Sequence, residues 1–134
     1  MSESLFHLLP HAAGLAFLAE EGDWEPPSLA SEGFVHLSFA HQVPGTLEVH
    51  YADTARMILV DVERASLEPD LRLEPSRGGA LFPHLYRPLR RREVRRWWEL
   101  ERGPDGWELP DALRDEAGQG ESGAGEAGAD QQPG

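Results

Sequence analysis

Three histidines in this chain sit among apolar or aromatic neighbours, and their spacing is suited to proton transfer or ligand contact. His36 and Ser38 lie two residues apart in Gly33-Phe34-Val35-His36-Leu37-Ser38. His84 lies between Phe82 and Tyr86 in Leu81-Phe82-Pro83-His84-Leu85-Tyr86, and His7 lies inside Leu5-Phe6-His7-Leu8-Leu9. An imidazole donates, accepts and titrates near neutrality. Two residues along a strand return a side chain to the same face, so His36 and Ser38 present an imidazole and a hydroxyl together. His84, flanked by Pro83 and close to Pro88, belongs to an ordered extended segment of the kind that lines a site. Tyr86 could stack on a flat ring or fill the core. The expectation is a small-molecule pocket, with His36, His84 and Ser38 as catalytic candidates. His7, Phe82, Tyr86 and Trp24 are the ligand-binding candidates.

Several other chemistries find no motif. The chain has no cysteine, so disulfides, thiol nucleophiles and thiolate metal sites are excluded. No His-Glu-x-x-His string occurs, and no metal is expected. Arg77-Gly78-Gly79 lacks the Lys-Ser/Thr of a phosphate loop. No Gly-x-Ser-x-Gly elbow surrounds Ser38.

The elements that must carry these residues read as follows. Ser4 to Leu9 is a short buried strand stopped by Pro10, followed by a helix that closes at Glu20-Glu21-Gly22. Asp23 to Ser31, with Trp24, Pro26 and Pro27, reads as a loop. Gly33 to Leu37 is a second strand, and Ser38 caps a helix running to about Tyr51, with Pro44 required in its first turn. Met57-Ile58-Leu59-Val60-Asp61-Val62 is a strand with a central position. Leu71 to Glu74 and Glu93 to Glu101 alternate as half-exposed strands do. Trp107 to Leu109 returns as an edge strand after Gly103-Pro104-Asp105-Gly106. The sum is a compact single α+β domain: about six strands in a mixed or mainly antiparallel sheet, with two N-terminal helices.

The chain is 134 residues long with a net charge of −12. The domain is expected over residues 1–112. Residues 113–134 read as a disordered acidic tail rich in Gly and Ala, because 115–134 hold no aromatic and no aliphatic residue larger than Ala. The acidic balance argues against nonspecific nucleic-acid binding. All twelve basic residues are arginine, and most cluster between Arg87 and Arg102. That stripe could hold a phosphate or pair with Glu93, Glu99 and Glu101. No signal peptide and no membrane-length apolar run is visible, so the expected location is the cytoplasm.

From about Leu5 to Val94 the chain resembles the small bacterial family called domain of unknown function 952. The resemblance rests on Phe6-His7, on Trp24 followed by Pro27-Ser28-Leu29, and on Glu32-Gly33-Phe34-Val35-His36-Leu37-Ser38. It continues through Gln42-Val43, Leu59-Val60, Leu73-Glu74-Pro75 and Leu81-Phe82-Pro83-His84-Leu85-Tyr86 with Pro88-Leu89. That family looks like a divergent member of the ADP-ribosyltransferase superfamily. The likeness implies an ADP-ribosyltransferase-like fold, and NAD or an ADP-ribosyl compound as the small-molecule nucleotide ligand. It implies a role for His7 at the nicotinamide ribose, and for His36 and Ser38 near the nicotinamide. A later strand in that superfamily supplies a Glu. The position before Leu81, often acidic in relatives, is Ala80 here, and the closest carboxylate in sequence, Glu74, lies on an earlier strand. The implied activity is ADP-ribosyl transfer or cleavage of the glycosidic bond of NAD, with His84 in the place of the Glu. The alternative is a non-catalytic nucleotide sensor. The identity of any protein acceptor is left open.

Overall fold

The computed structural model describes residues 3–114, without the side chain of Arg77. The order of elements is β1 (Ser4–Pro10), α1 (His11–Ala19), β2 (Asp23–Trp24), α2 (Pro27–Glu32), β3 (Val35–His36), a 3-10 turn (Ala40–Gln42) and α3 (Val43–His50). It continues with β4 (Arg56–Glu63), α4 (Arg64–Leu67), β5 (Leu71–Pro75), β6 (Leu81–Leu85), β7 (Leu89–Arg90), β8 (Val94–Gly103) and β9 (Gly106–Trp107). The fold is α+β, and the described strand pairings are antiparallel.

The strands do not form the one sheet expected from sequence. They form a four-stranded sheet in the order β1-β4-β8-β9, a three-stranded sheet in the order β3-β6-β5, and a small β2-β7 ribbon. β4 lies between β1 and β8, as its apolar run Met57-Ile58-Leu59-Val60 suggests. Both faces of the β1-β4 pair are covered. Leu5, Leu9, Ile58, Val60 and Val62 pack with Val35, Leu37, Leu71 and Leu85 of the smaller sheet. Phe6, Leu8, Met57 and Leu59 pack on the other side with Val43, Leu47, Leu100 and Leu113. Each such fully buried side chain contributes roughly 1.5–3 kcal/mol. Leu113 is 3% exposed, so the core reaches one residue past the expected boundary at 112. The rest of the expected tail, 115–134, lies outside the described residues.

α1 approaches β4 closely because residue 14 is glycine. A Cβ there would stand 2.5 Å from Ile58 Cγ1. The segment expected to be a loop, Asp23 to Ser31, is instead β2 and most of α2. Pro27 occupies the first turn of α2, where the missing N–H costs nothing. Gly33 ends that helix in the left-handed region (φ 94°), and its N–H reaches the carbonyls of Ser28 and Leu29. The expected Ser38–Tyr51 helix also changes. Ser38 caps nothing: its backbone pairs with Phe6 of β1. The Phe39 N–H instead donates to Gln42 Oε1, and α3 begins at Val43 with Pro44 in its first turn. Four α-helices among the described residues replace the two expected.

The basic stripe is used internally. Arg87 bonds Glu93 at 2.7 Å and Asp70 at 3.0 Å, clasping the turn after β6. Those carboxylates hold its guanidinium further in the charged form than usual. Arg95 and Arg96 both reach Asp61, whose side chain is 1% exposed.

Candidate functional site

Cross-strand register builds the site. In β3-β6 pairing His36 stands opposite His84, and in β5-β6 pairing Arg72 stands opposite His84 and Glu74 opposite Phe82. Residues directly opposite share a face, and so do residues two apart on one strand. His36, Phe82, His84, Arg72 and Glu74 therefore belong to one face, and Phe34 and Tyr86 meet them just beyond the strand ends. Val35, Leu37, Leu71 and Leu85 point the other way into the core. The alternation that sends one set of side chains into the core gathers a chemical constellation on the other face, with Arg72 and His36 exposed and His84 buried beneath Phe34.

The centre of that face is a hydrogen-bonded triad. His84 Nδ1 lies 2.8 Å from Glu74 Oε1, and the Tyr86 hydroxyl donates to the same oxygen at 2.6 Å. Those two donors, Tyr86 first, hold the Glu74 carboxyl below its usual range, so it is ionised. The same bond pushes the Tyr86 phenol above its usual value. With Nδ1–H given to the carboxylate, a neutral His84 turns a bare acceptor, Nε2, the other way. That atom is buried and has no hydrogen-bond partner among the described residues. Phe34 stacks on the His84 ring at 3.9 Å and 13°. His36 meets His84 edge-on at 5.3 Å, and its Nε2 lies 3.3 Å from Glu32 Oε1 on the last turn of α2. The Arg72 guanidinium lies over the Tyr86 ring, 4.8 Å from its centre.

Among the residues expected from sequence, the face brings together His36, His84, Phe82 and Tyr86. It does not include Ser38, His7 or Trp24. Ser38 is buried, with Oγ 3.4 Å from Thr46 Oγ1 and no bond to either histidine among the described residues. His7 points into the core beside Val60. The Trp24 indole donates to its Nε2 at 2.8 Å, so Nδ1–H donates to the His36 carbonyl at 2.6 Å. Burial pulls this imidazole from 6.5 down to about 4, outweighing the bond to the His36 carbonyl. Both ring nitrogens are thus committed to tying β1 to β2 and β3, and the geometry gives His7 and Trp24 a supporting part. Phe34, Arg72 and Glu32 are residues of this candidate site that motif reading missed, and Glu74 was passed over for His84. The signal for Glu74 and Arg72 was the alternation Leu71-Arg72-Leu73-Glu74 leading into a Gly78-Gly79 turn, which implies a hairpin.

No group of three or more metal-ligating side chains suited to a metal is found among the described residues. A cleft of about 280 Å³, lined by Leu18, Ala19, Glu20, Glu21, Arg91 and Arg92, lies away from this face. No helix among the described residues is long and apolar enough to cross a membrane.

Fold and site together define an antiparallel α+β domain that carries a histidine–carboxylate pair on the outer face of its smaller sheet. The chain belongs to the family described as protein of unknown function (DUF952), whose model matches residues 12–97. It is similar to the crystal structure of protein CC0527 from Caulobacter crescentus, at 38% identity and a TM-score of 0.72, covering 83% of this chain and 98% of that one. The solution structure of CC0527 gives 38% identity and a TM-score of 0.67, covering 78% and 90%. No curated protein matches the chain.

Proposed function

We propose that this domain is ADP-ribosyltransferase-like and acts on NAD or an ADP-ribosyl compound at the outer face of the β3-β6-β5 sheet. One observation carries the reading: an ionised, partly exposed Glu74 carboxylate is held by His84 and Tyr86 beside His36. Cleavage of a nicotinamide–ribose bond leaves the electron pair on the departing ring and positive charge on the sugar, as in glycoside hydrolysis. A carboxylate beside the sugar stabilises that charge. Glu74 supplies from β5 the group that Ala80 does not. The acceptor, water or another hydroxyl, adds to the sugar carbon, and its proton passes to His84 Nε2. His36 and Phe34 face the departing ring. Phe34 leaves its stack on His84 when the ligand enters.

The sealed position of His84 Nε2 favours a second reading, a sensor that binds the nucleotide without turning it over. Incubation with NAD, followed by NMR of free nicotinamide and of the histidine ring protons, separates the two. Release of nicotinamide that is abolished in Glu74→Gln and in His84→Ala is the expected result. Histidine shifts without release point to the sensor. Absence of both at millimolar NAD refutes the nucleotide reading.

A further inference from the structure

The arginines of this chain are largely used against its own carboxylates. Arg56, Arg64, Arg87, Arg95 and Arg96 each lie against one, within 4 Å. Arg72 differs. It stands on the candidate face, directly across from His84 and two residues from Glu74 on β5. Glu74 Oε1 takes Tyr86 and His84, and Arg72 acts on that carboxylate through charge without a hydrogen bond to it. Arg72 takes part in no hydrogen bond or ion pair among the described residues; its guanidinium rests on the Tyr86 ring. That ring is itself fixed through its hydroxyl. The result is a cation resting on an aromatic platform, near enough to the Glu74 carboxylate to act on it through charge but not hydrogen-bonded to it. A planar guanidinium so placed is suited to two parallel bonds to an oxyanion. Beside it the buried Nε2 of His84 also lacks a partner among the described residues.

We propose that Arg72 is the anion anchor of this face and holds the diphosphate of a nucleotide ligand along β5. The inference deepens the nucleotide reading above and gives the ligand a direction. The diphosphate lies at the β5 edge, the sugar over Glu74 and His84, and the departing ring toward Phe34 and His36 at β3. Two strand spacings separate β3 from β5, about 10 Å, which is the reach of a nucleoside with its phosphate. Because the chain is strongly acidic overall, Arg72, the cation among the described side chains of this face, is what distinguishes an anionic ligand from a neutral one there.

Calorimetric titration of the full chain with ADP, adenosine and inorganic pyrophosphate tests this in the wild type, Arg72→Gln, Arg72→Lys and Arg92→Gln. Arg92 is an exposed arginine at a cleft whose lining shares no residue with this face, so its loss controls for overall charge. The expected result is that ADP binds the wild type on the order of tenfold more tightly than adenosine. Arg72→Gln removes that preference, Arg72→Lys restores part of it, and Arg92→Gln keeps it. A preference unchanged in Arg72→Gln overturns the proposal, as does a wild type that binds neither ADP nor pyrophosphate. If pyrophosphate binds through Arg72 but no nucleoside binds and no NAD is turned over, the anion anchor stands and the NAD reading falls. If NAD is turned over with a KM unaltered in Arg72→Gln, the NAD reading stands and the anchor falls.

Discussion

Acid should destabilise this protein through His7 before it affects the carboxylates. In the folded chain the imidazole is buried, accepts a bond from Trp24 and donates one to the His36 carbonyl. It stays neutral down to about 4, against 6.5 when unfolded. Below pH 6.5 the unfolded chain therefore binds a proton that the folded chain refuses, and stability falls as pH falls. The loss begins near the unfolded value and is complete near pH 4. A shift of that size corresponds to about 3 kcal/mol. His7→Gln is the informative perturbation, because an amide can accept from Trp24 and donate to the His36 carbonyl yet does not titrate. Urea denaturation of both proteins from pH 7.5 to 4, followed by circular dichroism, should give curves that converge as pH falls. The wild type should lose about 3 kcal/mol more than the variant across that interval. Two parallel pH profiles would refute the reasoning, for they would show that His7 is protonated alike in both states. The strands tied by His7 include β3, so His36 should lose its fixed position at the same pH.

Three further outcomes follow from the geometry. Glu74→Gln should bring the Tyr86 phenol back down toward its ordinary value, since an anionic acceptor is what raises it; ultraviolet titration of the phenolate checks this. Asp61→Ala should cost about 2–3 kcal/mol in chemical denaturation, because a buried carboxylate that gathers Arg95 and Arg96 is replaced by nothing. Gly14→Ala should destabilise by about 1–3 kcal/mol despite its better helix propensity, because the added methyl meets Ile58; relief in the double variant with Ile58→Val would confirm the contact.

What could be read from sequence depended on how local its cause was. β4 was legible because burial on both faces writes a run of apolar residues over 57–60. β8 and β9 were legible from alternation and a Gly-Pro-Asp-Gly turn. α2 was not, because two prolines suggest a loop unless the second is placed at a helix start and Gly33 at its end. His36 and His84 were legible as candidates from their aromatic surroundings, but their partners were not. Glu74 reaches His84 only through the register of a hairpin, and Arg72 reaches Tyr86 the same way. His7 and Ser38 are the opposite case. Nothing local to either says that Trp24 and Phe6 will engage it, since those contacts are closed by tertiary packing.

The smaller sheet carries two unrelated sets of instructions on its two sides. Along β3, β5 and β6, one residue in two answers to the packing against β1 and β4, and the next answers to whatever lies outside. Substitutions at Arg72 or His36, both exposed, leave the inward residues untouched. The chemistry presented by this fold can accordingly drift from one lineage to another while its framework stays fixed. A comparison of family members should then find outward positions varying with ligand and inward positions varying only in volume.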